Sequence, residues 1–274
     1  MREEILKIAV CQLRTEKVYE QTMEKTERMI RQAVRQGAQA VCLPEMFYCP
    51  YARGYFRDFA RRGAGEALET MARWARENEI LLVGGSVPEI EGEKLYNTSF
   101  VFDPQGRQIA RHRKAHLFDV DLPGMRFRES DTFTPGDAVT TFDTPWGTMG
   151  VAVCFDIRFP ELFRAMAVRG ARVIFLPAQF NMTTGPAHWE LSLRARAVDN
   201  ELFVVGASAA RNQGFDYECW GHSLVADPFG SVIAQADESE QLLLAELDLS
   251  RVDQVRGQLP TFLHLRRELY EVAK

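Results

Sequence analysis

Short apolar runs alternate with stretches of helical periodicity along this chain, and that alternation limits the fold class more than any other feature. The apolar runs are residues 5–13, 39–45, 80–87, 149–154, 171–178, 202–208 and 242–247. Runs of this length, bounded by turn residues, are typical of buried strands. Helices are predicted at residues 19–34, 66–78 and 185–200. Strands and helices in alternation indicate an α/β protein.

The tetrapeptide pattern Asp-Pro-x-Gly occurs once in each half of the chain, at residues 103–106 and 227–230. Proline and glycine at these positions mark tight turns, so both patterns predict a β-hairpin. Hairpins among parallel strands make a sheet mixed, and the repetition suggests two similarly built sheets packed face to face with helices outside. Residues 115–137 are predicted to form a loop, and loops of this length are often functional.

The composition indicates a globular protein and argues against two classes of partner. The chain has 274 residues, 46% of them hydrophobic and 26% charged, with a net charge of −5. A negative charge argues against nucleic acid or an anionic membrane surface as the partner. No apolar run is long enough to span a bilayer, and the first four residues lead directly into a strand. We therefore expect no signal peptide, and one domain over residues 1–274 because no linker interrupts the pattern.

The cysteines argue against a disulfide framework. They are five, an odd number, at positions Cys11, Cys42, Cys49, Cys154 and Cys219. No two of them have Cys-x-x-Cys spacing, so a zinc ribbon is not expected either. A reducing cytoplasm is the expected compartment.

Cys154 stands at the end of an apolar run, immediately before a helix-start signal. Pro160 is tolerated in the first turn of a helix, so the next helix is predicted to begin near Phe159. The partial positive charge of a helix N-terminus would favour the reactive thiolate of Cys154. The alternative is an ordinary core thiol, because free cysteine is among the most buried residue types.

Two charged residues occupy similar positions at strand ends. Glu45 follows Pro44, which cannot donate to a sheet ladder, and functional sites in α/β folds collect at such strand ends. The alternative for Glu45 is a solvated loop carboxylate. Lys114 closes the mostly cationic run 111–114, which predicts either a solvated edge strand or one cation that points inward as an electrostatic catalyst.

Three motifs together resemble a known family. Leu43-Pro44-Glu45, Arg113-Lys114 and Val153-Cys154-Phe155-Asp156 supply a carboxylate, an ammonium and a thiol in that order. The pattern resembles the Glu-Lys-Cys triad of the nitrilase superfamily of carbon–nitrogen hydrolases, and the resemblance covers nearly the whole chain. Segments 43–51, 114–124, 183–190 and 196–200 are similar to the omega-amidase branch.

The resemblance implies an architecture as well as a family. It implies a four-layer α-β-β-α sandwich with two mixed sheets, which dimerises through a helical face into a homodimer or a larger homo-oligomer. The apolar tail, about residues 258–274, is expected to pack on a neighbouring subunit.

The resemblance also implies a role for each catalytic residue. Cys154 would attack an amide carbon, and Glu45 would act as the general base. Lys114 and the backbone N–H of Phe155 would stabilise the oxyanion. Glu129 matches a second glutamate that would orient Lys114 or a substrate amide. Thiol chemistry of this kind needs no metal and no organic cofactor.

The implied substrates are small 2-oxo acid amides, 2-oxoglutaramate and 2-oxosuccinamate, which would be cleaved to the dicarboxylate and ammonia. The alternatives within the class are an amidase for deaminated glutathione and an N-carbamoyl amino acid hydrolase. A true nitrilase fits less well. A catalytically silent scaffold protein is the alternative from another class.

The sequence allows more than one role for the residues around the predicted triad. Arg158 either binds a substrate carboxylate or pairs with Asp156 or Glu161. A Cys-His hydrolase, with His116 or His188 as the base, is the mechanistic alternative. The side chains expected to line the pocket are Tyr51, His116, Phe155, Phe180 and Thr184.

Overall fold

The computed structural model describes residues 4–63, 65–122, 125–213 and 217–269. Within these ranges the chain forms fifteen strands and six α-helices. The strands are β1 (Ile5–Gln12), β2 (Ala40–Cys42), β3 (Leu81–Val83), β4 (Val87–Glu91), β5 (Lys94–Phe102), β6 (Gln108–Arg113), β7 (Asp119–Leu122), β8 (Met125–Arg128), β9 (Thr141–Thr144), β10 (Gly147–Val151), β11 (Val173–Ala178), β12 (Phe203–Ser208), β13 (Leu224–Ala226), β14 (Val232–Gln235) and β15 (Gln241–Asp248). The helices are α1 (Tyr19–Arg35), α2 (Arg53–Gly63), α3 (Glu66–Glu77), α4 (Pro160–Val168), α5 (Gly185–Asn200) and α6 (Ser250–Gln258). Short 3₁₀ helices are Glu129–Asp131, Cys154–Arg158 and Arg267–Leu269.

Two large sheets are mixed, as the sequence predicts. The first has the strand order β15-β1-β2-β3-β5-β4, with β6 paired to β5. Strands β1, β2 and β3 are parallel, whereas β15 and β5 run antiparallel to their neighbours. The second sheet has the order β14-β13-β12-β11-β10-β9, with β10, β11 and β12 parallel. Each sheet therefore has a parallel centre with antiparallel edges.

The side-chain alternation of the strands explains the layers. Leu6, Ile8 and Val10 of β1 share one buried cluster with residues of the second sheet such as Phe175, so these faces meet in the middle of the molecule. The opposite face of the first sheet packs on α1, α2 and α3, and that of the second on α4 and α5. The α-β-β-α sandwich expected from the resemblance is confirmed.

Both Asp-Pro-x-Gly hairpins form as predicted, and they use the same local hydrogen bonds. Asp103 Oδ1 accepts hydrogen bonds from the backbone N–H groups of Gln105, at 3.0 Å, and Arg107, at 2.9 Å. Asp227 Oδ1 accepts the equivalent bonds from the N–H groups two and four residues later, both within 2.9 Å. An aspartate that bonds the backbone ahead of it stabilises the turn by itself.

Three local predictions are corrected by the structure. Helix α2 is absent from the predicted elements, because its apolar face is short and glycines lie near both of its ends. The predicted loop at residues 115–137 contains the antiparallel pair β7 and β8 and a 3₁₀ helix. The predicted strand at residues 80–87 is interrupted, with β3 ending at Val83 and β4 beginning at Val87.

The interruption between β3 and β4 brings two backbones together. Gly85 has φ +59°, and a Cβ built there would lie 2.1 Å from the carbonyl oxygen of Pro44. Only glycine fits such a close approach. The turn thereby supports the strand end that carries Glu45.

The C-terminal segment partly packs on its own subunit. The Phe262 ring lies between the guanidinium groups of Arg164, at 4.7 Å, and Arg256, at 5.2 Å. Leu263 is 85% exposed and Leu269 64% exposed, so apolar surface remains uncovered next to this anchor. Residues 270–274 lie outside the described ranges, and packing of the tail on a neighbouring subunit stays a prediction.

No helix in the described ranges combines the length and the apolar character needed to cross a membrane.

Candidate active site

The candidate site lies where the ends of four strands meet. Glu45 follows β2, Lys114 follows β6 directly, Cys154 follows β10, and Gln179 follows β11. The carboxyl ends of parallel strands lie at one edge of a sheet, so short loops after them converge. All four residues are buried, and polar contacts join them.

Glu45 is held by partners from three distant segments. Its Oε1 accepts hydrogen bonds from Lys114 Nζ at 3.0 Å and Asn97 Nδ2 at 2.8 Å, and its Oε2 accepts one from the backbone N–H of Gln179 at 3.0 Å. Cys154 lies close enough for the Glu45 carboxylate to raise the pKa of its thiol. Burial raises the pKa of Glu45, Lys114 opposes that rise, and Glu129 adds to it. A carboxylate with a raised pKa is suited to accept and return a proton near neutral pH.

Lys114 lies between two carboxylates without contact to solvent. Its Nζ is 3.0 Å from Glu45 Oε1 and 2.8 Å from Glu129 Oε2. Burial by itself lowers the pKa of Lys114, but the carboxylates of Glu129 and Glu45 outweigh it and raise that pKa above its usual value. The ammonium therefore stays charged, and two of its three N–H donors point to carboxylates.

Glu129 is fixed on its other side as well. Its Oε2 accepts the backbone N–H of Phe118 at 2.6 Å, and its Oε1 accepts the Tyr51 hydroxyl at 3.2 Å. Tyr51 therefore contacts the acidic cluster rather than the open part of the site. The arrangement holds Lys114 in one place.

Cys154 adopts a strained backbone and carries a neutral thiol. Its φ is +46°, a value that non-glycine residues rarely adopt. The thiol donates to the carbonyl oxygen of Gln179 at 3.7 Å. Burial raises the pKa of Cys154 well above its usual value, the Glu45 carboxylate raises it further, and Lys114 only partly opposes them. The expected lowering by a helix N-terminus is wrong, because α4 begins only at Pro160 and burial dominates.

Asp156 anchors the turn that carries Cys154. Its carboxylate bonds His112 Nε2 at 3.0 Å, His116 Nδ1 at 2.7 Å and the backbone N–H of Val153 at 2.9 Å. Burial would raise the pKa of Asp156, but the hydrogen bonds from both histidines hold it well below its usual range. The buried polar cluster of Asp156, His112 and His116 thus stabilises the strained turn.

A small pocket opens at Cys154. Its lining residues are Phe118, Cys154, Phe155, Arg158, Gln179, Phe180, Thr184 and Tyr217. Four of the six residues predicted to bind substrate, Phe155, Arg158, Phe180 and Thr184, are among them. Tyr51 and His116 are not, since Tyr51 bonds Glu129 and His116 bonds Asp156.

Arg158 brings a positive charge to the pocket wall. Its guanidinium lies 5.7 Å from the Phe155 ring centroid and 5.5 Å from that of Phe180, and its Nη2 is 3.2 Å from His188 Nδ1. Burial lowers the pKa of Arg158 from its usual value. Among the described residues it forms no ion pair with Asp156 or Glu161, so its charge is not neutralised by a carboxylate.

The histidines considered as alternative bases have other partners. His116 bonds Asp156 and stacks on the Phe159 ring at 3.6 Å between centroids, and His188 contacts Arg158. The Cys154 thiol donates to the Gln179 carbonyl, and the nearby Glu45 carboxylate raises the pKa of that thiol. The geometry favours a carboxylate base over a Cys-His pair.

Sequence reasoning did not find Asn97, Phe118, Gln179 and Tyr217. Gln179 bonds Glu45 twice, through its backbone N–H and through Nε2 to the Glu45 carbonyl at 2.6 Å, and Tyr217 donates its hydroxyl to the Gln179 carbonyl at 2.7 Å. One signal was available for Gln179, because it follows an apolar strand in the same way as Glu45. Nothing in the local pattern marks Tyr217. Among the described residues, no group of three or more His, Cys, Asp or Glu side chains could hold a metal ion.

Comparison with known proteins identifies the family. The model of the carbon–nitrogen hydrolase family matches residues 7–257. The omega-amidase NIT2 of Bos taurus is 44% identical over 267 residues, covering 97% of each chain. The crystal structure of Nit3 from Saccharomyces cerevisiae, a member of branch 10 of the nitrilase superfamily, superposes with a TM-score of 0.89 at 36% identity over 97% of each chain. The NitFhit protein of C. elegans gives a TM-score of 0.92 at 35% identity, covering 98% of this chain and 67% of that one.

The fold and the family match together define an enzyme that hydrolyses carbon–nitrogen bonds. The chain belongs to the carbon–nitrogen hydrolase family of the nitrilase superfamily. The similarity to omega-amidases confirms the branch indicated by the sequence motifs.

Proposed function

We propose that this enzyme hydrolyses the terminal amide of small 2-oxo acid amides, 2-oxoglutaramate and 2-oxosuccinamate, through a thioester on Cys154. One observation carries the proposal. A half-buried cation, Arg158, and the thiol of Cys154 line the same small aromatic pocket. A substrate with a carboxylate at one end and an amide at the other matches that pair of groups. The name of the bovine relative, an omega-amidase, points the same way.

The first half of the reaction forms the thioester. Glu45 accepts the proton of the Cys154 thiol while Sγ attacks the amide carbon. Lys114 stabilises the resulting oxyanion with the donor that its two carboxylates leave free, together with the backbone N–H of Phe155. The proton on Glu45 passes to the nitrogen, the carbon–nitrogen bond breaks, and ammonia leaves.

The second half releases the acid. Glu45 takes a proton from water, and the hydroxide oxygen attacks the thioester carbon. The oxyanion forms again beside Lys114. The carbon–sulfur bond then breaks, the proton returns from Glu45 to Cys154, and the dicarboxylate leaves. Glu129 acts throughout by holding Lys114, which it contacts at 2.8 Å.

The pocket favours small substrates. It is bounded by the rings of Phe118, Phe155, Phe180 and Tyr217. Rigid aromatic walls accommodate a short 2-oxo acid amide more readily than deaminated glutathione, which carries two further residues. Thr184 adds a polar edge, although its hydroxyl already bonds Asn181 Oδ1 at 3.1 Å.

The test is ammonia release from a panel of amides. The panel contains 2-oxoglutaramate, 2-oxosuccinamate, deaminated glutathione, an N-carbamoyl amino acid and an uncharged amide such as butyramide. We expect turnover of the first two, and complete loss with Cys154→Ala. The matched control is Cys11→Ala, since Cys11 is an equally buried thiol within β1. Turnover of another amide while both 2-oxo acid amides stay intact would contradict the substrate assignment.

Arg158→Met tests the carboxylate contact separately. Losing one charge-assisted hydrogen bond costs about 1.5–3 kcal/mol, so KM for the 2-oxo acid amides should rise about 10–150-fold. An uncharged amide should be affected little. An equal loss for charged and uncharged amides would show that Arg158 acts on the fold of the pocket and not on the carboxylate.

We further propose a cytoplasmic homodimer formed through a helical face. Leu191, 67% exposed, and Val198, 50% exposed, give α5 an apolar outer surface, and Leu263 is exposed in the tail. Light scattering after size-exclusion chromatography would measure the mass in solution. Leu191→Glu should weaken the dimer if α5 lies in its interface, and a monomeric wild-type protein would refute it.

A further inference from the structure

Asn97 contacts both carboxylates at the base of the site, yet it carries no charge. Its Nδ2 donates to Glu45 Oε1 at 2.8 Å and to Glu129 Oε1 at 3.2 Å. Its backbone carbonyl accepts the N–H of Lys114 at 2.8 Å. A single residue of β5 therefore contacts both carboxylates through its side chain and the backbone of Lys114 through its carbonyl oxygen.

The two carboxylates need such a contact. Glu45 and Glu129 are both buried, and they share one cation, so two negative charges face one positive charge. A second cation here would balance the charge but would also draw Glu45 away from its role as a base. An amide N–H₂ stabilises both ionised carboxylates while the net charge stays the same.

The orientation of the amide follows from its surroundings. Placing Oδ1 where Nδ2 lies would set an acceptor against two carboxylate oxygens, so the donor must face the site. Oδ1 is buried and has no hydrogen-bond partner among the described residues. The side chain therefore leaves its acceptor unsatisfied. Its two donor contacts are the interactions by which the asparagine stabilises the site.

We propose that Asn97 is a positioning residue whose amide group holds the carboxylates of Glu45 and Glu129 side by side around Lys114. This inference rests on the proposed use of Glu45 as the base for Cys154. Asn97 does not touch the reacting atoms. It favours the ionised form of Glu45, which is the form that accepts the thiol proton.

Other titratable groups also face Glu45 and contribute to its ionisation. They are Lys114, Glu129, Cys154, Tyr51, Tyr217 and Cys219. All of these residues remain in place when Asn97 is substituted. A shift of the pH profile in an Asn97 variant therefore reports the lost amide contact.

The experiment measures the rate at which iodoacetamide alkylates Cys154 between pH 5 and 9, with the modified peptide identified by mass spectrometry. The thiolate displaces iodide, and Glu45 takes the thiol proton, so the rate depends on ionised Glu45 without any substrate turnover. In Asn97→Ala the pH of half-maximal rate should rise by at least about one unit, which makes alkylation about tenfold slower below the wild-type midpoint. The pH dependence of kcat/KM for a hydrolysed amide should shift the same way.

Ser99→Ala is the matched control. Ser99 lies two residues further along β5, it is fully buried, and its hydroxyl has no partner among the described residues. Its substitution should leave the alkylation profile in place. The isosteric Asn97→Asp replaces the amide by a third carboxyl group, so it should raise the pH of half-maximal alkylation further. If Asn97→Ala does not fold, Asn97→Asp provides the test.

The outcomes separate this inference from the proposed function. Variants of Asn97 that lower the rate equally at every pH, or that match Ser99→Ala, would overturn the positioning role. If the wild-type enzyme hydrolyses neither 2-oxo acid amide, the substrate assignment fails, but the alkylation profile still decides the role of Asn97.

Discussion

Replacing Lys114 by methionine tests how the buried charges of the site are balanced. Its Nζ contacts Glu45 Oε1 at 3.0 Å and Glu129 Oε2 at 2.8 Å, and none of the three side chains reaches solvent. Methionine has a similar length but leaves two buried carboxylates without their cation. Removing one partner of a buried ion pair costs about 3–5 kcal/mol, a large part of the roughly 5–15 kcal/mol that stabilises a typical domain. We expect Lys114→Met to lose about 3–5 kcal/mol at pH 7.

The loss should depend on pH, with a definite sign. Without the ammonium, the pKa of at least one carboxylate in the folded variant lies well above its value of about 4.3 in the unfolded chain. The folded state then binds this proton more tightly than the unfolded state does. Its free energy of unfolding therefore increases as the pH falls through the raised pKa. The difference between Lys114→Met and wild type should be largest at neutral pH and should narrow toward pH 5.

Urea unfolding at pH 7 and pH 5.5, followed by the fluorescence of the four tryptophans, measures both quantities. The control is Lys7→Met, because Lys7 Nζ lies 3.8 Å from Glu246 Oε2 with both side chains more than half exposed, at 54% and 59%. An exposed pair of this kind is worth about 0–1 kcal/mol. If Lys114→Met is no less stable than Lys7→Met, or if its loss is the same at both pH values, the buried-charge argument is refuted.

Two further substitutions test the base and the turn behind it. Glu45→Gln should fold, as circular dichroism can verify, while amide hydrolysis falls about 10²–10⁴-fold; a variant that keeps most of its activity would contradict the role of the base. Gly85→Ala and Gly92→Ala both place alanine in left-handed backbone, at φ +59° and +61°, which costs about 1–2 kcal/mol. Only Gly85 also meets backbone atoms, so its substitution should cost about 1–3 kcal/mol more in urea unfolding. Equal losses would refute the close approach.

Much of the fold follows from local chemistry. The two hairpins form because an aspartate bonds the backbone ahead of it and glycine closes the turn, at φ +76° in Gly106 and +83° in Gly230. The strands are recognisable as short, continuous apolar runs bounded by turn residues. These features need only neighbours in the sequence. Helix α2 was missed because its apolar face, formed by Phe56, Phe59 and Ala60, becomes recognisable only when the sheet covers it.

The positions of Glu45, Lys114 and Cys154 at strand ends could also be read from the sequence, and the family resemblance indicated that they meet. The electrostatic state of these three residues could not be read from the sequence. The thiol of Cys154 was expected to be acidic from a nearby helix start, whereas burial beside Glu45 raises its pKa. Burial depends on every segment that closes over the site, and no local pattern contains that information.

Local sequence thus determined the strands, the turns and the three reactive groups, since each depends on residues within a few positions. Only the tertiary structure decided which neutral groups surround them. Asn97 reaches Glu45 across 52 positions and Gln179 reaches it across 134. Such contacts arise from the register of paired strands and the packing of two sheets. Their physical reason is the requirement that buried charges be paired or hydrogen-bonded, which acts through space and leaves no periodic signal in the chain.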